Sequence, residues 1–107
     1  MPILPMTVSR DAAMSLYAVG FRMRTVSHWS CHATTIAAPN SDELMAWLLD
    51  HGFAVTLEMS AKEMVAMIAH PQAIGGAAYS MADSLAALVE QIYNLKLCAL
   101  HKESLDA

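Results

Sequence analysis

The sequence predicts a single α+β domain in which a small three-stranded sheet packs with three helices, in the order ββαβαα. Three observations support this: a length of 107 residues, stretches that alternate between apolar and polar residues, and three helix starts with capping residues. A chain of this length can bury one hydrophobic core but not two. Hydrophobic residues make up 56% of the chain and charged residues 15%, against averages of about 45 to 50% and about 25%. The fold has to accommodate this apolar surplus.

The N-terminal third is predicted to contain an arm and a β-hairpin. Residues 1–13 are expected to form a separate arm, because two prolines precede "SRDAA", and residues 14–107 form the domain. The stretch "YAVGFRMRT" then alternates and predicts a half-buried strand. Its apolar side comprises Tyr17, Val19, Phe21 and Met23. The Thr-rich run "CHATTIAA" fits a second strand that pairs with the first.

The stretch "PNSDELMAWLLDHGF" is the clearest helix signal and predicts a helix over residues 41–50. Asn40 is the expected N-cap, Glu43 follows three residues later, and Gly52 is the expected left-handed stop. The alternating stretch "FAVTLEM" predicts a third strand. Its inward side comprises Phe53, Val55, Leu57 and Met59. We expect the helix to form a right-handed crossover between neighbouring parallel strands.

The C-terminal half is predicted to be helical. "SAKE" has the pattern of a capping box, with Ser60 and Glu63, and predicts a short second helix that ends before Pro71. Gly75 and Gly76 are expected to lie in a loop. Ser80 begins a third helix, which should be the longest element of the chain.

The first and third predicted helices have apolar arcs of about 200°, wider than one sheet can cover. These helices either pack on each other as well as on the sheet, or one arc forms an interface between identical chains or a groove for another protein. We favour an interface between identical chains, which predicts a homodimer. The predicted interface lies on the third helix and comprises Val89, Tyr93, Lys96 and Leu100.

The stretch "SHWSCHATT" raises the question of a metal site or a catalytic cysteine. Two thiolates and two imidazoles could bind zinc if the hairpin met the end of the last helix. The weak metal candidates are His28, Cys31, Cys98 and His101. A strand edge that carries histidine and a small buried cysteine is the simpler interpretation. Since neighbours on a strand point to opposite faces, His32 is poorly placed to act as the general base for a Cys31 nucleophile. We therefore predict no catalytic residues and no enzyme.

Anion and cofactor sites have little support in the sequence. Arg22, Arg24 and His28 would form a small basic stripe on one strand face, but the formal net charge of −4 argues against nucleic acid as a partner. "AIGGAAYS" matches neither the dinucleotide nor the phosphate-loop spacing, so no cofactor is predicted.

Nine methionines are unusual for this length. Thioether side chains fill irregular gaps in cores, and they also line pockets that accept varied apolar ligands. A ligand pocket would use the Met-rich second helix with a tryptophan as one wall. Its candidate residues are Trp47, Met59, Met64 and Met67.

The leading functional hypothesis is a small non-catalytic accessory or interaction protein, a homodimer that acts through surface recognition. The alternative is a binding protein for small apolar or cationic ligands. Small acidic chains of this kind occur among accessory proteins of mobile elements, which is an analogy only. The beginning of the chain does not resemble a signal peptide, no apolar run is long enough for a membrane span, and two cysteines fit a reducing compartment. These features predict a cytoplasmic protein.

Overall fold

The computed structural model describes residues 7–31, 33–69 and 73–95, and it confirms the α+β class. Within these residues the order is αββαβββα, with two antiparallel sheets. The elements are α1 (Arg10–Val19), β1 (His28–Cys31), β2 (Thr34–Ala37), α2 (Ser41–Asp50), β3 (Val55–Met59), β4 (Met64–Ile68), β5 (Ile74–Ala78) and α3 (Met81–Asn94).

The elements with strong local signals lie where they were predicted. The Asn40 side chain accepts a hydrogen bond from the Glu43 amide at 2.8 Å, and the Glu43 carboxylate accepts one from the Asn40 amide at 2.9 Å. This capping box begins α2, and Gly52, with φ of 84°, follows its end. Ser80 caps α3, which at 14 residues is the longest of the described elements.

The predicted first strand is wrong, because its first half is the end of a helix. Ser9 caps α1, and Gly20 ends it with φ of 100° while its N–H donates to the carbonyls of Leu16 and Tyr17. Because α1 ends at Gly20, the first residues of the alternating stretch are helical and the rest form a loop. The alternation of apolar and polar residues there does not reflect a strand. Val8 and Ala13 are buried, and residues 7–13 therefore belong to the domain rather than to a separate arm.

The sheet is divided differently from the prediction. A hairpin does form, but both of its strands lie between residues 28 and 37, and β1 and β2 make a two-stranded sheet of their own. The three-stranded sheet is an antiparallel meander, β3-β4-β5. The expected crossover between parallel strands is therefore wrong, since β3 pairs with β4 instead of with the hairpin.

The short second helix and the glycine loop are also wrong, because these residues form β4 and β5. The Ser60 hydroxyl accepts hydrogen bonds from the amides of Lys62 and Glu63, as an N-cap would. Here the same bonds close a turn in which Met59 pairs with Met64 across the hairpin. Side-chain to backbone bonds of this kind serve both helix starts and turns, which explains the misreading.

The core is organised around α3, which packs against β4 and β5 and also against α1 and α2. This arrangement explains the wide apolar arc of α3, since the helices do pack on each other as well as on the sheet. The buried residues of α3 are Ala82, Ser84, Leu85, Ala86, Leu88, Val89 and Ile92.

Gly76 allows α3 to approach the sheet closely. A Cβ atom at this position would lie 2.5 Å from the Leu88 amide nitrogen and 2.6 Å from the Ser84 carbonyl oxygen. Both are backbone atoms, which side-chain rotation cannot move. The close approach therefore requires glycine in the middle of β5, although glycine usually weakens the interior of a strand.

Replacing Gly76 with alanine is expected to lower the free energy of unfolding by about 3 kcal/mol, because α3 must move away from β5. Urea denaturation followed by circular dichroism measures this loss. Gly75→Ala is the matched control, since its nearest contact would be the flexible Met67 side chain, 3.1 Å away. At protein concentrations at which the chain is monomeric, we expect the control to change stability by less than about 1 kcal/mol. Equal losses in both variants would contradict the close approach.

Candidate functional site

The metal candidates are only partly described by the structure. His28 begins β1 and is exposed. The Cys31 side chain and residues His32, Cys98 and His101 lie outside the described part of the chain. Within residues 7–31, 33–69 and 73–95, no three histidine, cysteine, aspartate or glutamate side chains are grouped so that they could hold a metal ion.

Two of the four predicted interface residues contact other parts of the same chain. Val89 is fully buried, and Tyr93 is half-buried against Phe21 and Trp47. Lys96 and Leu100 lie outside the described residues. The two described residues of the predicted interface are thus packed within the domain, and the interface stays a prediction.

An aromatic cluster connects α2, α3 and the segment after α1. The Phe21 ring meets Trp47 edge to face at 5.5 Å between centroids, and Tyr93 lies 5.9 Å from Trp47. The His51 ring stacks on the Trp47 indole with 4.0 Å between centroids, and its Nδ1 lies 2.8 Å from the Trp47 carbonyl oxygen. Aromatic pairs of this geometry stabilise proteins by about 0.5 to 1.5 kcal/mol each. The cluster therefore has a structural role, and it includes Trp47, the predicted pocket wall.

The predicted Met-rich pocket residues do not converge on one site. Met59 and Met64 are cross-strand partners on the face of the sheet that includes Ala66, whereas Met67 lies on the opposite face. Met59 is 78% exposed at the end of β3, and Trp47 is 9% exposed in the core. These four side chains do not surround one common cavity.

The three-stranded sheet has a second face that α3 does not cover. Ala66 and Gly76 are buried on the α3 side, so their neighbours along the strands point the other way. We call the β4 and β5 part of this surface the open sheet face, defined by Val65, Met67, Gly75 and Ala77. Met67 is paired with Gly75 and Val65 with Ala77. On the β3 side, Thr56 pairs with Met67 and Glu58 with Val65, so this margin of the face is polar. A shallow cavity of about 360 Å³ lies here, and its described lining residues are apolar or glycine: Val65, Met67, Ile68, Ala73, Ile74, Gly75 and Ala77.

The surroundings of the open sheet face are also unusual. The strand β5 lies at the edge of the described sheet and contains no charged residue in "IGGAA". Proteins commonly protect such edges with lysine, proline or bulges. Tyr79, next to the end of β5, is 96% exposed. A large aromatic side chain in water beside an apolar face is a feature of association surfaces.

A separate cleft of about 440 Å³ lies between α1 and the β1-β2 hairpin. We call it the helix-hairpin cleft. Its floor consists of Leu16, Phe21 and Ile36, each 4% exposed or less. Arg22 forms part of the wall: its guanidinium carbon lies 3.7 Å from the centre of the Tyr17 ring. The same side chain donates hydrogen bonds of 2.9 Å to the carbonyls of Tyr17 and Phe21, which hold it in place.

The lining of the helix-hairpin cleft is basic. Arg22, Arg24 and His28 all contribute to it, and none of the described lining residues is aspartate or glutamate. The sequence grouped these three residues as a stripe on a strand, whereas the structure places two of them in the loop between α1 and β1. The sequence did not indicate Tyr17 or Thr35 as lining residues, because the contact of α1 with β2 is tertiary.

No family model, curated protein or solved structure matches the chain. Among the described helices, none is both long enough and apolar enough to cross a membrane.

Replacing Tyr93 with alanine is expected to lower the free energy of unfolding by about 2 kcal/mol, because the ring contacts with Phe21 and Trp47 are lost. Asn94→Ala, at an exposed neighbouring position, is the control and should stay within about 0.5 kcal/mol of wild type. Urea denaturation at several protein concentrations measures both. A Tyr93→Ala variant of unchanged stability and altered sedimentation would instead indicate an interface residue.

Proposed function

We propose that the protein is a small non-catalytic interaction protein that forms a homodimer through the open sheet face. The observation that carries the proposal is the uncovered apolar surface of Val65, Met67, Gly75 and Ala77, opposite the face that packs on α3. A folded monomer would leave this surface in water. The proposal retains a cytoplasmic location, in keeping with only two cysteines.

The relief of the open sheet face suits a second copy of the same chain. Val65 and Met67 form a ridge on β4, and Gly75 and Ala77 form a shallow groove beside it on β5. A two-fold axis that runs along the strands, between β4 and β5, places the ridge of each copy in the groove of the other. Two-fold interfaces are self-complementary in this way.

The size of the face indicates what else the interface must include. Three strands of five residues cover about 17 by 14 Å, less than the roughly 800 Å² per partner of a typical stable interface. Tyr79 and the edge of β5 adjoin the face and extend the apolar surface. We therefore expect Tyr79 to become buried on dimerisation.

The alternative function, binding of small apolar or cationic ligands, has less support from the geometry. The four residues predicted for that pocket do not converge on one site, and Trp47 belongs to the aromatic cluster. The helix-hairpin cleft is lined by Arg22, Arg24 and His28, and its arginines repel a cationic ligand.

Sedimentation velocity at tens of micromolar tests the dimer. We expect wild type to sediment as a dimer and the double variant Val65→Lys, Met67→Lys to sediment as a folded monomer with an unchanged circular dichroism spectrum. The charges lie on the surface of the monomer but would be buried without partners in the dimer.

The matched control places two lysines at exposed apolar positions elsewhere, Met14 on α1 and Leu49 on α2, which are 44% and 58% exposed. This variant should remain dimeric. A monomeric wild type would refute the proposal, and dissociation of the control to the same extent would show that association does not depend on the open sheet face.

A further inference from the structure

The strand β2 directs unpaired backbone groups away from β1. The Ala38 N–H donates to the Ser27 carbonyl at 3.0 Å, and the register pairs Trp29 with Ile36. Hydrogen-bonded and non-hydrogen-bonded pairs alternate along an antiparallel ladder. The N–H and C=O groups of Thr35 and Ala37 therefore point outward, and both residues line the helix-hairpin cleft. Within the described residues, no strand pairs with Thr35 and Ala37 on this edge, whereas two residues further the Pro39 carbonyl accepts from the Val8 N–H at 3.0 Å. The free part of the edge therefore ends at Ala37.

Cationic side chains lie beside this free edge. Arg22 is held by its two carbonyl contacts and by the Tyr17 ring, so little side-chain entropy remains for a ligand to remove. Arg24 and His28 are exposed on the lining, and neither has an ion-pair partner among the described residues. Positive charge thus accompanies main-chain donors and acceptors in one cleft, above an apolar floor.

We propose that the helix-hairpin cleft binds an extended acidic peptide segment. The peptide pairs with the free edge of β2 as an added strand, and its carboxylates meet Arg22, Arg24 and His28. Strand addition provides affinity through main-chain hydrogen bonds, while side-chain contacts select the sequence. The cleft volume of about 440 Å³ lies within the range of about 300 to 1,000 Å³ that is usual for ligand sites. The surface is separate from the open sheet face, and the proposal does not depend on dimerisation.

The geometry favours a peptide over a small anion or a nucleic acid. The edge of β2 offers donors and acceptors in alternation, which a peptide backbone matches and a phosphate or a free carboxylate does not. The net charge of −4 opposes the approach of a long polyanion, whereas a short acidic segment interacts mainly with the local cations. The buried floor of Leu16, Phe21 and Ile36 provides apolar contact for side chains between the acidic positions.

Isothermal titration of the full chain with a synthetic peptide of alternating glutamate and valine tests the proposal. We expect saturable binding, and loss of binding when alternate amides of the peptide are N-methylated. The variant Arg24→Gln, His28→Gln should weaken binding about tenfold, because the charge-assisted contact of Arg24 and the imidazole contact of His28 are lost. Both positions are exposed, so circular dichroism should show an unchanged fold.

Arg10→Gln is the matched control, since Arg10 is an exposed arginine at the start of α1 that does not line the cleft. Its affinity should stay within about twofold of wild type, as expected for a remote surface charge. Equal binding of the N-methylated peptide, or of glutarate, would overturn strand addition in favour of a small-anion site. Tighter binding of oligothymidylate than of the peptide would indicate a nucleic-acid site instead, and absence of peptide binding would refute the proposal.

Discussion

The structure depends on the close packing of α3 against β5, which Gly76 makes possible. Because residue 76 has no Cβ atom, the α3 backbone can approach the sheet closely. On its other sides α3 contacts α1 and α2. The helix α3 provides six of the eighteen buried hydrophobic residues in the described part of the chain, more than any other element. Leu85, Leu88 and Ile92 are fully buried. A helix enclosed on several sides carries few polar residues, which contributes to the high apolar content of the chain.

The same arrangement determines which surfaces stay open. The helix α3 packs on one face of the meander, and α1 and α2 contact α3 directly. All three helices therefore lie on the same side of the meander. The opposite face of the meander therefore has no helix within the described residues. Thr56 and Glu58 of β3 make one margin of that face polar, but its β4 and β5 part carries only Val65, Met67, Gly75 and Ala77. An apolar area of this kind is unusual on a permanently solvated sheet face, which normally carries polar residues. The asymmetry of the layers is thus the physical basis for the proposed association.

Local signals explain which parts of the fold could be predicted from the sequence. The helices α2 and α3 have capping side chains of their own, Asn40 and Ser80, and both were predicted correctly. The strand β5 could not be predicted, because Gly76 is required by a tertiary contact with α3. Without that contact, a pair of glycines indicates a loop. Since β4 and β5 were not assigned, the open sheet face was not predicted either. The sequence placed Arg22, Arg24 and His28 together on one strand face, whereas their position in the cleft beside α1 depends on the folded chain.

The two proposed surfaces face in different directions, and this has a consequence for their joint action. The helix-hairpin cleft belongs to α1 and β2, on the α3 side of the meander, whereas the open sheet face lies on the other side. A dimer formed through the open sheet face therefore carries two clefts on its outer surfaces, and neither is blocked by the interface. Two identical peptide sites on one rigid particle favour targets that present acidic segments in pairs, because the second contact is made at high effective concentration. Weak binding at each cleft is then compatible with selective recognition by the dimer.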